Sequence, residues 1–188
     1  MRKLNLFSIV VATIIATSIS AQEFTVDPEK SSLEWKGKKV GGEHYGNISL
    51  KEGNFVVKDN NIASGKFVID MTTITNSDLE GEWNEKLVGH LKSDDFFGVE
   101  KYPTSELVIK KSSTFSNNEA KVSGDLTIKG KTHPIEFTVK RDGENYSAKI
   151  TVDRSKYDVR YGSKSFFDNL GDKAIHDDFT MKVKVVVK

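Results

Sequence analysis

VSGDLTIKGKTHPIEFTV, residues 122–139, is the stretch on which the fold class turns. Val122, Gly124, Leu126 and Ile128 share one parity, with the polar residues Ser123, Asp125 and Thr127 between them. Lys129-Gly130-Lys131 has turn chemistry, and beyond it Ile135, Phe137 and Val139 again share a parity. Two period-two segments around a glycine-containing turn predict an antiparallel hairpin with one buried and one wet face.

The pattern extends in both directions. Leu33 and Trp35 alternate with polar neighbours, as do Phe55 and Val57, then Phe67, Ile69 and Met71. Leu107 and Ile109 follow, then Ala148, Ile150 and Val152, and a last strand from Phe179 to Val187. Asp59-Asn60-Asn61, Ser116-Asn117-Asn118 and Asp142-Gly143-Glu144-Asn145 predict short hairpin connections. The glycines of WKGKKVGGEHYG, residues 35–46, predict a strand bend or bulge. One inward stripe persisting along strands too long for a sandwich predicts a single antiparallel β-barrel, all-β apart from a short helix. The last strand ends in Val185-Val186-Val187, which at an exposed edge would pair with a second copy and make a homodimer.

The helix is signalled by Ser77-Asp78-Leu79-Glu80, a capping box, with Leu79, Trp83, Leu87 and Leu91 at i+4 spacing after it. About three turns are expected, with the apolar stripe laid across one barrel mouth and Phe96-Phe97 behind it. A mobile lid and a fixed plug satisfy this pattern equally. Residues 161–178 read as a long loop with one helical turn.

Residues 1–21 form a secretory leader: Arg2 and Lys3, an apolar run from Leu4 to Ile15, and small residues before a cut at Ala21-Gln22. No cysteine follows the run, which speaks against a lipid-modified leader. Residues 22–188 then form one domain, of a size that buries its own core. Loss of Arg2 and Lys3 takes the net charge from +1 to about −1, which provides no electrostatic footprint for nucleic acid. The chain has no cysteine, so thiolate chemistry and disulfides are excluded.

No nucleophile elbow, phosphate-binding glycine loop or HExxH helix is present, so the chain reads as non-enzymatic and in need of no cofactor. The histidines supply the competing pattern. His44, His90 and His176 each have acidic neighbours, and three imidazoles with a carboxylate would suit zinc, although none has close metal spacing. His133, before Pro134 at a strand start, reads as structural. Val152-Asp153-Arg154-Ser155 reads either as a charged pair that orients a ligand head group or as a structural clamp at a strand end. Periodicity alone leaves open whether the inward stripe fills the barrel or lines a cavity.

Four segments in this order carry a family resemblance: VIDM at 68–71, Leu91 through Pro103, GDLTIKGKTHP at 124–134, and VDRSKYD at 152–158. Together they make the chain, from Phe24 to Lys188, resemble the YceI-like family of bacterial periplasmic proteins. The resemblance implies an eight-stranded lipocalin-like barrel with an apolar pocket for a polyisoprenoid or similar lipid, held, stored or transported in the periplasm or beyond the cell. The chain departs from the family near Trp35, where Lys36-Gly37-Lys38-Lys39 replaces a more apolar strand. A more polar mouth of this kind suits a quinone head group or an amphiphilic acid.

The expected partner is therefore a hydrophobic small molecule, an isoprenoid or quinone-like lipid, with transient membrane contact when it is exchanged. Trp35, Phe67, Ile69, Met71, Leu126, Ile128 and Phe137 are the expected strand-borne pocket residues. Leu87, Leu91, Phe96 and Phe97 are expected from the helix and its follow-on. Arg154 and His44 are the candidates for touching a polar head. Two other classes stand beside this one: a metal-dependent enzyme built on the three histidines, and a solid-core, stress-related interaction module without a small ligand.

Overall fold

A computed structural model describes residues 21–188. The predicted leader, save Ala21, lies outside the described residues. Nine strands form one sheet: β1 (Gln22–Thr25), β2 (Ser32–Lys39), β3 (Gly42–Lys58), β4 (Asn61–Asp70), β5 (Thr104–Ser112), β6 (Glu119–Ile128), β7 (Lys131–Asp142), β8 (Asn145–Asp153) and β9 (Ile175–Val186). One α-helix, α1 (Gly81–Lys92), lies between β4 and β5. From β2 to β9 each strand pairs antiparallel with the next in sequence, and β9 pairs with β2. β1 pairs with the far half of β3, and Val26 bridges Val187. β1 and β2 thus occupy one position around the barrel, which makes it eight-stranded and closed.

The connections divide into two kinds. At the end holding the termini, turns are tight. Asp59-Asn60 and Asn117-Asn118 both have positive φ, the backbone that matches the twist of a two-residue hairpin. At the opposite end, called here the α1 end, Lys129-Gly130 adopts the same conformation. Two long connections, residues 71–103 and 154–174, also lie there.

Three expectations are corrected. The helix begins at Gly81, not at Ser77, and Glu80 supplies no side-chain cap. Residues 75–78 instead continue the β4 seam along β3. The Thr75 and Ser77 N–H groups donate to the Asn47 and Tyr45 carbonyls at 2.9 Å each. Asp78 accepts from the Tyr45 N–H at 2.9 Å and pairs with His44 Nδ1 at 2.7 Å, so the supposed capping box serves a strand edge. Secondly, β9 starts at Ile175, four residues before Phe179, and a single 3-10 turn at Gly171–Lys173 precedes it. Thirdly, β9 has a hydrogen-bonded neighbour on each side, so its valine-rich end offers no edge to a second copy.

The strap of residues 75–78 crosses the barrel wall at Gly46. A Cβ there would lie 1.9 Å from the Thr75 carbonyl oxygen, and the same oxygen accepts from Trp35 Nε1 at 2.8 Å. Gly46→Ala must displace the strap, and we expect a loss of about 2–4 kcal/mol in urea unfolding, well above an ordinary surface substitution. The strap also makes stability acid-sensitive. Burial pushes the Asp78 carboxyl up, but bonds from the Tyr45 N–H, His44 and Asn76 outweigh it and hold the group below its usual 3.8. A depressed carboxyl stabilises the fold above its unfolded pKa and ceases to do so as pH falls through the folded one. Asp78→Asn is therefore expected to be less stable than the parent at neutral pH and to lose less on going from about pH 4 to about pH 2 by thermal melts.

Candidate binding cavity

The inward stripes converge on one cavity of about 210 Å³ that extends along the barrel. On β9 its lining runs from Ile175 to Val185, roughly 30 Å of strand path. Phe67, Ile69, Leu107, Ile135, Phe137, Phe179, Met181 and Val183 all line it, and all are only partly buried although they point inward. Inward side chains retain accessible surface only when they face open space. The barrel is hollow, which removes the main support for a solid-core module.

Both ends are closed by aromatic packing. At the terminal end, Phe55 stacks on Phe24 at 5.1 Å and meets Tyr146 edge-on at 4.8 Å, with Arg141 over Phe115. At the α1 end, Phe96 and Phe97 meet at 5.0 Å and Phe97 meets Phe179 at 6.4 Å. Two cations hold the long connections over this end. Lys129 Nζ donates to the carbonyls of Asp94 at 2.8 Å and Phe96 at 2.9 Å. Arg154, 2% exposed, donates to the carbonyls of Val159, Ile175 and His176 at 2.8–3.2 Å, faces Asp177 at 3.5 Å, and lies over the Phe96 ring.

Most of the expected pocket residues line this cavity. Trp35, Phe67, Ile69, Leu126, Ile128 and Phe137 line it from the strands, Met71 from the 3-10 turn that follows β4, and Leu91, Phe96 and Phe97 from the rest of the connection. Arg154 borders it but spends its donors chiefly on backbone carbonyls, so the geometry is that of a clamp. Leu87 and His44 lie elsewhere, in a shallow outer groove with Trp83, Leu79, Lys39, Lys86 and His90. Trp83 is 70% exposed, so only the Leu91 end of the predicted stripe is buried. The mouth is plugged by the segment after α1 more than by the helix itself.

Several liners were absent from the expected set: Leu107, Ile135, Phe179, Met181 and Val183, with Ser105 and His176. The first five carried the signal already, because each shares parity with a residue of an inward stripe. Ser105 and His176 needed the tertiary structure, since both sit where strands meet the long connections. Of the polar liners, Ser105, Arg154 and His176 lie at the α1 end and Tyr146 and Ser147 towards the terminal end, and the wall between them is almost wholly apolar.

His44 and His90 border one outer groove and His176 lies apart at the cavity, so the three histidines do not converge. His44 is held by Asp78, His90 packs edge-on against Tyr161 at 4.3 Å and Phe96 at 5.7 Å, and His176 accepts from Arg154 through its carbonyl. Among the described residues no three His, Cys, Asp or Glu side chains are grouped to hold a metal ion.

Comparison with known proteins agrees with this architecture. The crystal structure of BcnA from Burkholderia cenocepacia matches with a TM-score of 0.65 at 20% identity, covering 87% of this chain and 99% of that one. A polyisoprenoid binding domain from Saccharophagus degradans matches with a TM-score of 0.60 at 12% identity, covering 90% and 98%. These likenesses concern the fold. In sequence, a UPF0312 protein of Staphylococcus aureus (strain USA300) is 32% identical over 153 residues, which is 73% of this chain and 82% of that protein. The profile of the YceI-like domain matches residues 24–187, essentially the whole barrel, and the chain belongs to the YceI-like family.

Proposed function

We propose that this protein binds, without catalysis, the hydrocarbon chain of an isoprenoid, quinone or similar amphiphilic lipid inside the barrel, and stores or carries it in the periplasm. The observation that carries this reading is a hollow, almost wholly apolar tunnel running the length of the barrel, with its charged liner Arg154 at the α1 end. Each methylene withdrawn from water into such a tunnel contributes about 0.8 kcal/mol, so a chain needs no directed contact along its length. Selection then works by chain length and shape, with the head group at the α1 end beside Ser105 and His176. The polyisoprenoid binding domain of Saccharophagus degradans, built on the same fold, supports this ligand class.

The leader pattern of residues 1–21 supports export, and a cysteine-free barrel suits an oxidising compartment as well as a reducing one. Trp83, Tyr161, Phe166 and Phe167 are exposed around the α1 end, and amphipathic aromatic rings of this kind favour a membrane–water boundary. They support transient membrane contact during exchange.

Protein purified gently and weighed under native conditions should carry extra mass that vanishes on denaturation and extracts into organic solvent. A bare mass, with no uptake of added geranylgeraniol or decylubiquinone, would refute lipid binding. Leu107→Trp places an indole in the cavity far from either plug, and should weaken binding at least about tenfold while circular dichroism stays unchanged. Arg154→Met tests the clamp: it should lower unfolding free energy by about 3 kcal/mol or more, because Asp177 and three carbonyls lose a buried partner.

A further inference from the structure

The β7–β8 seam is unlike the other seams of the barrel. It forms four pairs, from Asp142↔Asn145 to Val139↔Ala148, and then stops. Residues 131–138 of β7 and 149–153 of β8 have no ladder partner in each other, although β7 remains fully paired to β6 and β8 to β9. The gap is bounded below by the Val139↔Ala148 pair and above by the edge-on contact of His133 with Tyr157 at 5.2 Å. It is a window in the wall, in the half of the barrel nearest the α1 end.

Its inner rim is cavity wall. Continuing the register sets Phe137 opposite Ile150 and Ile135 opposite Val152, and all four line the cavity. Its outer rim is guarded against another strand. Pro134 has no N–H to offer, and the exposed Glu136 and Lys149 charge the two edges. An apolar inner rim with strand-repelling edges fits a flexible hydrocarbon chain and not a β-strand. Meanwhile the terminal end is filled by Phe24, Phe55 and Tyr146, and the α1 end is pinned by Lys129 and Arg154.

From this we infer that the gap between β7 and β8 is the portal through which the lipid chain passes sideways into the barrel. This rests on the lipid-binding reading and adds the route. Passage parts Phe137 from Ile150 and leaves both aromatic plugs in place. No ladder pair crosses the gap, so widening it breaks no ladder bond.

The test exploits the absence of native cysteine. Glu136→Cys with Thr151→Cys, bridged by a flexible bis-maleimide, ties the window shut from outside. Glu34→Cys with Lys182→Cys bridges the closed β2–β9 seam as a control. Lys39→Cys with Trp83→Cys ties α1 to the β2–β3 hairpin across the outer groove. Uptake of a dansyl-labelled farnesyl probe is followed by stopped-flow fluorescence. The window bridge should slow uptake by about tenfold or more, and the other two should leave the rate within about twofold. An unchanged rate with the window bridged, or equal slowing by the α1 bridge, overturns the portal. Absence of uptake by the unbridged protein refutes lipid binding itself, which separates the two failures. Independently of bridging, the amides that face the gap, Glu136, Thr138, Lys149 and Thr151, should exchange with deuterium faster than those of 124–128. Equal protection would mean the seam is closed and the portal wrong.

Discussion

Pairing of the first long strand with the last is the constraint on which the rest of this molecule depends. Leu33↔Val183 and Trp35↔Met181 join residues about 150 positions apart, and through them the meander becomes a closed wall. Closure gives every strand two faces with fixed meaning, so parity along each strand becomes position inside or outside the barrel. It also determines the circumference. Eight strands enclose slightly more space than these inward side chains occupy, and the surplus is the cavity.

Closing a tube creates two open ends, and the chain treats them differently. Tight turns at the terminal end leave aromatic rings from β1, β3 and β8 to pack against one another. At the α1 end the long connections must fold back over the opening, and their carbonyls need donors. Lys129 provides them from the β6–β7 hairpin turn and Arg154 from the start of the second long connection. A buried guanidinium that satisfies three carbonyls costs desolvation, which is offset only because the bonds are well made. This arrangement places the charged liner Arg154 at the α1 end of an apolar tunnel, on the side where we propose the head group of an amphiphile lies.

The half-formed β7–β8 seam belongs to the same account. A fully paired eight-stranded wall with both ends plugged would offer a long chain no path except through its plugs. Interrupting one seam near the α1 end leaves the plugs and the closing seam untouched. The strap of residues 75–78 acts in the opposite sense, extending the β3 edge where β4 stops. The wall is reinforced beside Trp35 and relaxed beside Phe137.

The barrel class, its strand faces and the turns at Asp59-Asn60, Asn117-Asn118 and Lys129-Gly130 were legible in the sequence, because alternation and turn chemistry are local properties. Ten of the eleven expected apolar pocket residues line the cavity, seven of them read from strand alternation and Leu91, Phe96 and Phe97 from the helix and its follow-on. Leu87 and His44 went astray because helical spacing and loop position do not say which neighbour an element meets. Ser77-Asp78 had the form of a helix cap, yet the edge of β3 lay closer and took its hydrogen bonds. Hollow or filled, clamp or head-group contact, continuous or interrupted seam: each of these was settled only by tertiary structure. They depend on distances between strands that are remote in sequence, and no local pattern encodes those distances.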